Sequence, residues 1–326
     1  MNKKERLMAV LHHQMPDHIP AGFWFHFDGE KGRGESCVRE HIDFYRKTDI
    51  DFVKIMSDNL GYPLRYHISC ADDWNKVEHL DESDPFFTDS VARCKAINDA
   101  IGEECFTYYN FFSPINIIRE RDIFDAGANN YNTVAEHIRQ NPTAVKHAMT
   151  VIAEDHVRLA KKIIETGGCL GIYQSLQGAE LGWLSKEEYE FTVKPADLLQ
   201  VCGINSVSKY NIIHMCSWAG IPNHLDYWKE YPAAVKNWGT GVEKLSLSDG
   251  SKFFGKDCLV LGGLDNRAGH PLVSGSKADI RAEVKRVLEE MKGTPFILGA
   301  DCTVPNTIDL ERIRMVVKTA REDNAV

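Results

Sequence analysis

Residues 141–175 run NPTAVKHAMTVIAEDHVRLAKKIIETGGCLGIYQS, and this stretch contains the unit from which the chain is built. Asn141 followed by Pro142 offers a helix N-cap with proline at the first helical position, where its missing N–H is no loss. Val145, Met149, Ile152, Leu159 and Ile163 then recur at spacings of three, four or seven, which places them on one face of a helix. Gly167-Gly168 ends the helix. The run Cys169 to Ser175 that follows is apolar over most of its length, as expected of a parallel strand covered on both faces.

Outward from this unit the pattern repeats in both directions. Further β-rich runs lie at Ile19 to Phe27, Asp51 to Met56, Cys105 to Phe112, Tyr210 to Trp218, Ala234 to Trp238, Cys258 to Leu264 and Phe296 to Gly299. Helix signals separate them. Ser185 with Glu188 has the spacing of a capping box, and Thr307 precedes Leu310, Ile313 and Val317. Eight strands alternating with helices predict an α/β fold, a (β/α)8 TIM barrel in one domain over residues 1–326. A doubly wound open sheet would also alternate, but no GxGxxG follows any run, so a dinucleotide-binding version lacks support.

Composition agrees with one soluble domain. The 326 residues are 43% apolar and 26% charged, enough to bury a large core, and no Gly/Ser linker or low-complexity tract divides them. A net charge of -9 argues against nucleic acid as partner, because phosphate binding rests on clustered Lys and Arg. Leu7 to Leu11 is too short for a signal-peptide core and no run approaches a membrane span, so a cytoplasmic protein without membrane contact is expected. In that compartment the nine cysteines stay reduced, as buried small residues, catalytic groups or metal ligands. A homodimer is the default expectation for its assembly.

In such a barrel the chemistry sits at the C-terminal ends of the strands. The runs end in His26, Asp58, Ser113, Gln174, His214 with Cys216, Asp265, and Asp301 with Cys302. In Ile212-Ile213-His214-Met215-Cys216, residues i and i+2 share a face, so an imidazole and a thiol point to one side. Cys302, closing the eighth run, is the candidate third ligand. A set of one nitrogen and two sulfurs suits Zn2+, and an open fourth position marks a catalytic site. The bland alternative is a core histidine with two buried thiols.

The sequence also resembles the uroporphyrinogen decarboxylase superfamily, from Glu5-Arg6-Leu7-Met8-Ala9-Val10-Leu11 and Asp17-His18-Ile19-Pro20 to Cys302-Thr303-Val304-Pro305-Asn306-Thr307. True decarboxylases of that superfamily carry Arg-Gln-Ala-Gly-Arg after the first strand, where this chain has Gly22-Phe23-Trp24-Phe25-His26-Phe27. His214-Met215-Cys216 with the remote Cys302 is similar instead to the zinc motif of the corrinoid-dependent branch, the methylcobalamin:coenzyme M type of methyltransferase. That resemblance implies zinc, a (β/α)8 barrel, and a corrinoid (cobalamin) carried by a partner protein. The small substrate would be a thiol, a methoxy-aromatic or a methylamine, with either direction of transfer open. Lewis acidity at the open position serves an incoming thiol or the leaving heteroatom of a methyl donor equally well.

Other positions are candidates for lesser roles. Asp58 looks like the aspartate that decarboxylases place on pyrrole nitrogens; here it is read as catalytic, with substrate binding or helix capping as the alternative. Glu180 is read as a fourth zinc ligand or proton carrier. His26, Gln174, Asp265 and Trp218 are read as substrate-contacting, against structural roles in hydrogen bonding, loop shaping and packing. Two rival functions remain. A metal-free decarboxylase would need a cationic pocket, for which Arg33, Arg65 and Arg119 are the candidates. A non-catalytic carrier of a methylated compound or corrinoid would have no need of an activating ion.

Overall fold

The computed structural model describes residues 1–119, 131–217, 220–255 and 258–323. All eight expected strands form: β1 Ala21–Gly22, β2 Phe52–Ile55, β3 Phe106–Phe112, β4 Gly171–Leu176, β5 Ile212–Met215, β6 Val235–Trp238, β7 Leu259–Leu264 and β8 Ile297–Ala300. They pair in parallel in the order β1-β8-β7-β6-β5-β4-β3-β2, a single-domain (β/α)8 barrel that closes between β1 and β2.

That last joint is not a ladder but a side-chain clasp. The Asp51 amide donates to the Ala21 carbonyl at 2.8 Å, and the Ala21 amide donates to Asp51 Oδ2 at 2.8 Å. The other carboxylate oxygen accepts Arg6 Nη1 at 2.8 Å. β1 is far shorter than the apolar run from Ile19 to Phe27 suggests. Its aromatic continuation leaves the sheet, with Phe23, Trp24 and Phe27 buried in the core rather than paired. Gly22 is required there, because a Cβ would fall 2.0 Å from the Phe52 ring on the neighbouring strand.

Around the barrel lie α1 Lys3–Leu11, α2 Gly34–Thr48, α3 Pro85–Ile101, α4 Tyr131–Gln140, α5 Pro142–Glu165, α6 Lys194–Asn205, α7 Leu247–Phe254, α8 Lys277–Glu290 and α9 Leu310–Asp323, with shorter turns between. α5 starts where the sequence says: the Asn141 side chain accepts the Ala144 amide, and Gly168 turns the chain at φ +80°. The Ser185/Glu188 capping box forms, but its helix is interrupted by a wide turn over Tyr189–Val193 before α6. Pro195 lies just past that turn and lacks the N–H a regular ladder would use. At α9 the Asp309 carboxylate, not Thr307, accepts the first-turn amide, from Glu311 at 3.0 Å.

The barrel interior below the mouth is aromatic. Trp24 and Tyr173 pack at 4.9 Å between centroids and Phe52 meets Tyr108 edge-on at 5.5 Å. Tyr173 Oη donates to Asn237 Oδ1 at 2.8 Å, and Asn237 Nδ2 donates onward to the Leu261 carbonyl at 2.9 Å. The polar ends of Tyr173 and Asn237 are thus tied across strands, as low-dielectric burial requires. No helix among the described residues is long and apolar enough to cross a membrane.

Candidate metal centre

Strand alternation sends His214 inward and Met215 into the helix layer, and one residue beyond the end of β5 Cys216 turns inward again. The Cys216 amide still donates to the Leu176 carbonyl at 3.0 Å, so the strand geometry carries through to Cys216. Cys302 follows β8 by two residues and leans toward β5. Cys302 Sγ lies 3.3 Å from His214 Nε2 and 3.9 Å from Cys216 Sγ. One donor atom from each of the three sits within 4.8 Å of the others.

Bonds of about 2.1 Å to nitrogen and 2.3 Å to sulfur around a tetrahedral ion separate ligand atoms by roughly 3.5–3.8 Å, so the spacing and the donor set fit zinc. The Cys216 thiol first, and then the His214 imidazole, hold the Cys302 thiol well below the ordinary cysteine range, the state a metal ligand needs. His214 Nδ1 is buried without a hydrogen-bond partner among the described residues. Metal-bound histidines usually anchor this second nitrogen; here aromatic packing holds the ring, with Tyr173 at 6.1 Å between centroids.

The three side chains lie on a cavity of about 900 Å³ at the C-terminal mouth, lined also by Lys54, Met56, Asp58, His26, Asn110 and Phe112 among others. Asp58 and His26 come together there. His26 Nδ1 lies 2.6 Å from Asp58 Oδ1, and the Phe27 amide donates to Asp58 Oδ2 at 2.7 Å.

The remaining expected residues are placed differently. Gln174 sits between the inward Tyr173 and Ser175 and so faces the helix layer, 3.4 Å from Gln200 Nε2. Glu180 is buried off the cavity wall, accepting Arg119 at 3.0 Å and the Gly178 amide at 3.0 Å. Asp265 is taken up by Arg267, Nη2 to Oδ2 2.5 Å, and it is Arg267 that reaches the cavity. Ser113 is buried and accepts the Gln177 amide at 3.3 Å. Trp218 lies outside the described residues. Arg33, Arg65 and Arg119 do not line the cavity; Arg65 and Arg119 are paired with Asp84 and Glu180.

One residue escapes the sequence reading, and a second, Asp301, is marked there only as a polar end of the eighth run. Lys54, third residue of β2, points into the barrel with its ammonium 3.9 Å from the Tyr173 ring centroid, and burial pushes it down to about 7. Asp301, beside Cys302, accepts Thr240 Oγ1 at 2.7 Å and the Gly241 and Gly263 amides at 3.2 Å, while burial raises it to about 6.

Residues 53–323 match the family model for uroporphyrinogen decarboxylase (URO-D). No curated protein sequence matches the chain. Among solved structures it is similar to a methyltransferase from Methanosarcina mazei, at 14% identity and a TM-score of 0.73 over 100% of both chains. It is also similar to a putative vitamin-B12 independent methionine synthase from Listeria monocytogenes, at 11% identity and a TM-score of 0.52, over 88% of this chain and 85% of that one. At such identities the likeness is one of fold. The family match runs from β2 through α9, and the chain belongs to the uroporphyrinogen decarboxylase (URO-D) family.

Proposed function

We propose that the protein is a zinc-dependent methyltransferase that exchanges a methyl group between a small substrate and a corrinoid carried by a partner protein. The observation that carries this reading is the meeting of His214, Cys216 and Cys302 on the cavity wall at the barrel mouth, with no fourth His, Cys, Asp or Glu grouped with them among the described residues. A structural zinc site closes its fourth position with protein; one left to the cavity serves a substrate atom. The methyltransferase of Methanosarcina mazei shares the fold, and the thiolate–imidazole set is what narrows that fold to this chemistry.

Zinc held by these residues would supply Lewis acidity to a sulfur, oxygen or nitrogen of the substrate. The chain's own groups complete the setting. Lys54 brings a cation to the same wall and favours negative charge on the substrate atom. The Asp58 carboxylate orients His26 Nδ1, leaving the other ring nitrogen to hold or pass a proton at the rim. Met56, Leu64, Phe112 and Ile117 give an apolar wall for the methyl-bearing part of the substrate. Thiols, methoxy-aromatics and methylamines all suit such a wall.

Protein purified without chelator is expected to contain about one zinc per chain. It should methylate Co(I) corrinoid from a donor, or demethylate methylcobalamin to a thiol, with the cobalt spectrum reporting each turnover. His214→Ala and Cys216→Ser should remove zinc and turnover while keeping the fold. Metal-free protein that decarboxylates uroporphyrinogen and leaves methylcobalamin untouched would overturn the proposal in favour of the decarboxylase reading.

A further inference from the structure

The two cysteine ligands come from strands that are not neighbours, since β6 and β7 stand between β5 and β8. Something must fix the gap between them, and one short helical turn at the end of β6, Thr240–Glu243, is bonded to both sides. On the Cys216 side Glu243 Oε1 accepts Ser217 Oγ at 2.5 Å and Asn223 Nδ2 at 2.7 Å, and Oε2 accepts the Asn223 amide at 2.9 Å. Asn223 Nδ2 also donates to the Cys216 carbonyl itself at 3.3 Å. On the Cys302 side the carboxylate of the preceding residue, Asp301, accepts Thr240 Oγ1 at 2.7 Å and the Gly241 amide at 3.2 Å. Asp301 is then locked to β7 through the Gly263 amide at 3.2 Å.

We infer that Thr240–Glu243 is a bracket that sets the spacing of the two thiolates, with Glu243 and Thr240 as positioning residues for the metal. The inference rests on the zinc reading and adds to it which residues outside the ligand set determine affinity and geometry. Glu243 accepts three donors with two oxygens. A glutamine in its place would turn its own N–H bonds toward one of them, so Glu243→Gln releases the Cys216 loop on one side. Thr240→Val keeps the shape and removes one hydrogen bond, and so folds even where Glu243→Gln does not; Thr240→Ser keeps the hydroxyl. Neither position touches the substrate or the ion.

The test is metal affinity and the spectrum of the cobalt-substituted protein. Zinc affinity, measured by competition with a chromophoric chelator, should fall about 10–100-fold in Glu243→Gln and by a smaller factor in Thr240→Val, the range usual for groups that orient ligands. With Co2+ bound to saturation, the thiolate-to-cobalt charge-transfer and d–d bands should shift in both variants and return in Thr240→Ser. A merely structural role would lower the unfolding temperature and leave the saturated cobalt spectrum unchanged. Wild-type affinity and an unshifted spectrum in both variants would overturn the bracket while leaving the zinc site standing. Wild-type protein that binds neither zinc nor cobalt would overturn both.

Discussion

Lys54 sits in Phe52-Val53-Lys54-Ile55, the one charged residue of an inward-packed strand, with its ammonium against the adjoining Trp24 and Tyr173 rings at 4.8 and 3.9 Å. The stem packs as a hydrocarbon, but the head has been taken out of water, which is why burial brings its proton affinity down to about 7. A head group buried away from water carries a desolvation cost that an apolar side chain of similar length does not. Lys54→Met is therefore expected to raise the stability in urea by about 1–3 kcal/mol and to depress methyl transfer. A lower midpoint would mean that the folded protein supplies the ammonium with a compensating anion. Little in the sequence betrays Lys54, because a lone lysine in an apolar run reads equally well as facing solvent. Gln174 shows the same ambiguity from the other side. A run that is apolar on both faces hides which residues point inward, so Gln174 reads as facing the mouth although Tyr173 and Ser175 hold the inward phase.

Between sheet and helices, two histidines behave as core groups. His41 on α2 donates from Nδ1 to the Cys37 carbonyl at 2.7 Å and accepts the Met56 amide at Nε2, 2.9 Å, which only the neutral ring can do. His156 on α5 stacks on Phe111 of β3 at 4.7 Å and meets Gln200 of α6 at 2.7 Å. Burial lowers both from the ordinary 6.5 to about 4. The unfolded chain therefore takes up protons before the folded one does. The stability these two rings contribute is full above pH 6.5 and is lost as the pH falls toward 4, by up to about 3 kcal/mol per histidine, offset in part by Asp301, whose raised proton affinity acts with the opposite sign. Urea denaturation across that window should show the decline, and His156→Gln should make it shallower. A flat profile would mean that the folded protein accommodates both charges. Helix ends were legible wherever the cap is local, as at Asn141 and Ser185. They were less so at α9, where the sequence points to Thr307 and the bond is made by Asp309 two residues on.

For the whole molecule, the alternation of apolar runs and capped helices made the barrel readable, because a parallel strand buried on both faces leaves an unbroken signature. The meeting of three side chains was readable because His214 and Cys216 share a strand face and Cys302 ends another strand. Cross-element bonds were not: nothing in the order of residues tells that Arg119 claims Glu180, or that Thr240 and Glu243 reach Asp301 and Asn223. An ion joining β5 to β8 would also clip a long loop of chain, and a ligand that binds only the folded state stabilises it by mass action. Stripping metal with a chelator should lower the unfolding temperature, by the equivalent of about 4 kcal/mol where free metal stood a thousandfold above its dissociation constant. Cys302→Ser should not respond to the same treatment. An unchanged wild-type midpoint would argue that the three side chains hold no ion in the folded protein.

The joint between β1 and β2 bears on how the ring of strands knows its own stagger. Closing a sheet into a barrel fixes a shear, the offset by which the last strand meets the first, and ladders along the other joints are tolerant of where that offset falls so long as each pair keeps its own register. At this joint the offset is held by one residue, since Asp51 bonds Ala21 through both amide and carboxylate and answers to Arg6 on α1. Slipping the closure by one residue would bury that carboxylate against the wrong backbone group and leave the guanidinium behind, a penalty far larger than the loss of a single ladder bond. The stagger at the closure is thus marked by a side chain, while the ladders that run unbroken from β2 to β8 align the strands that meet at the mouth.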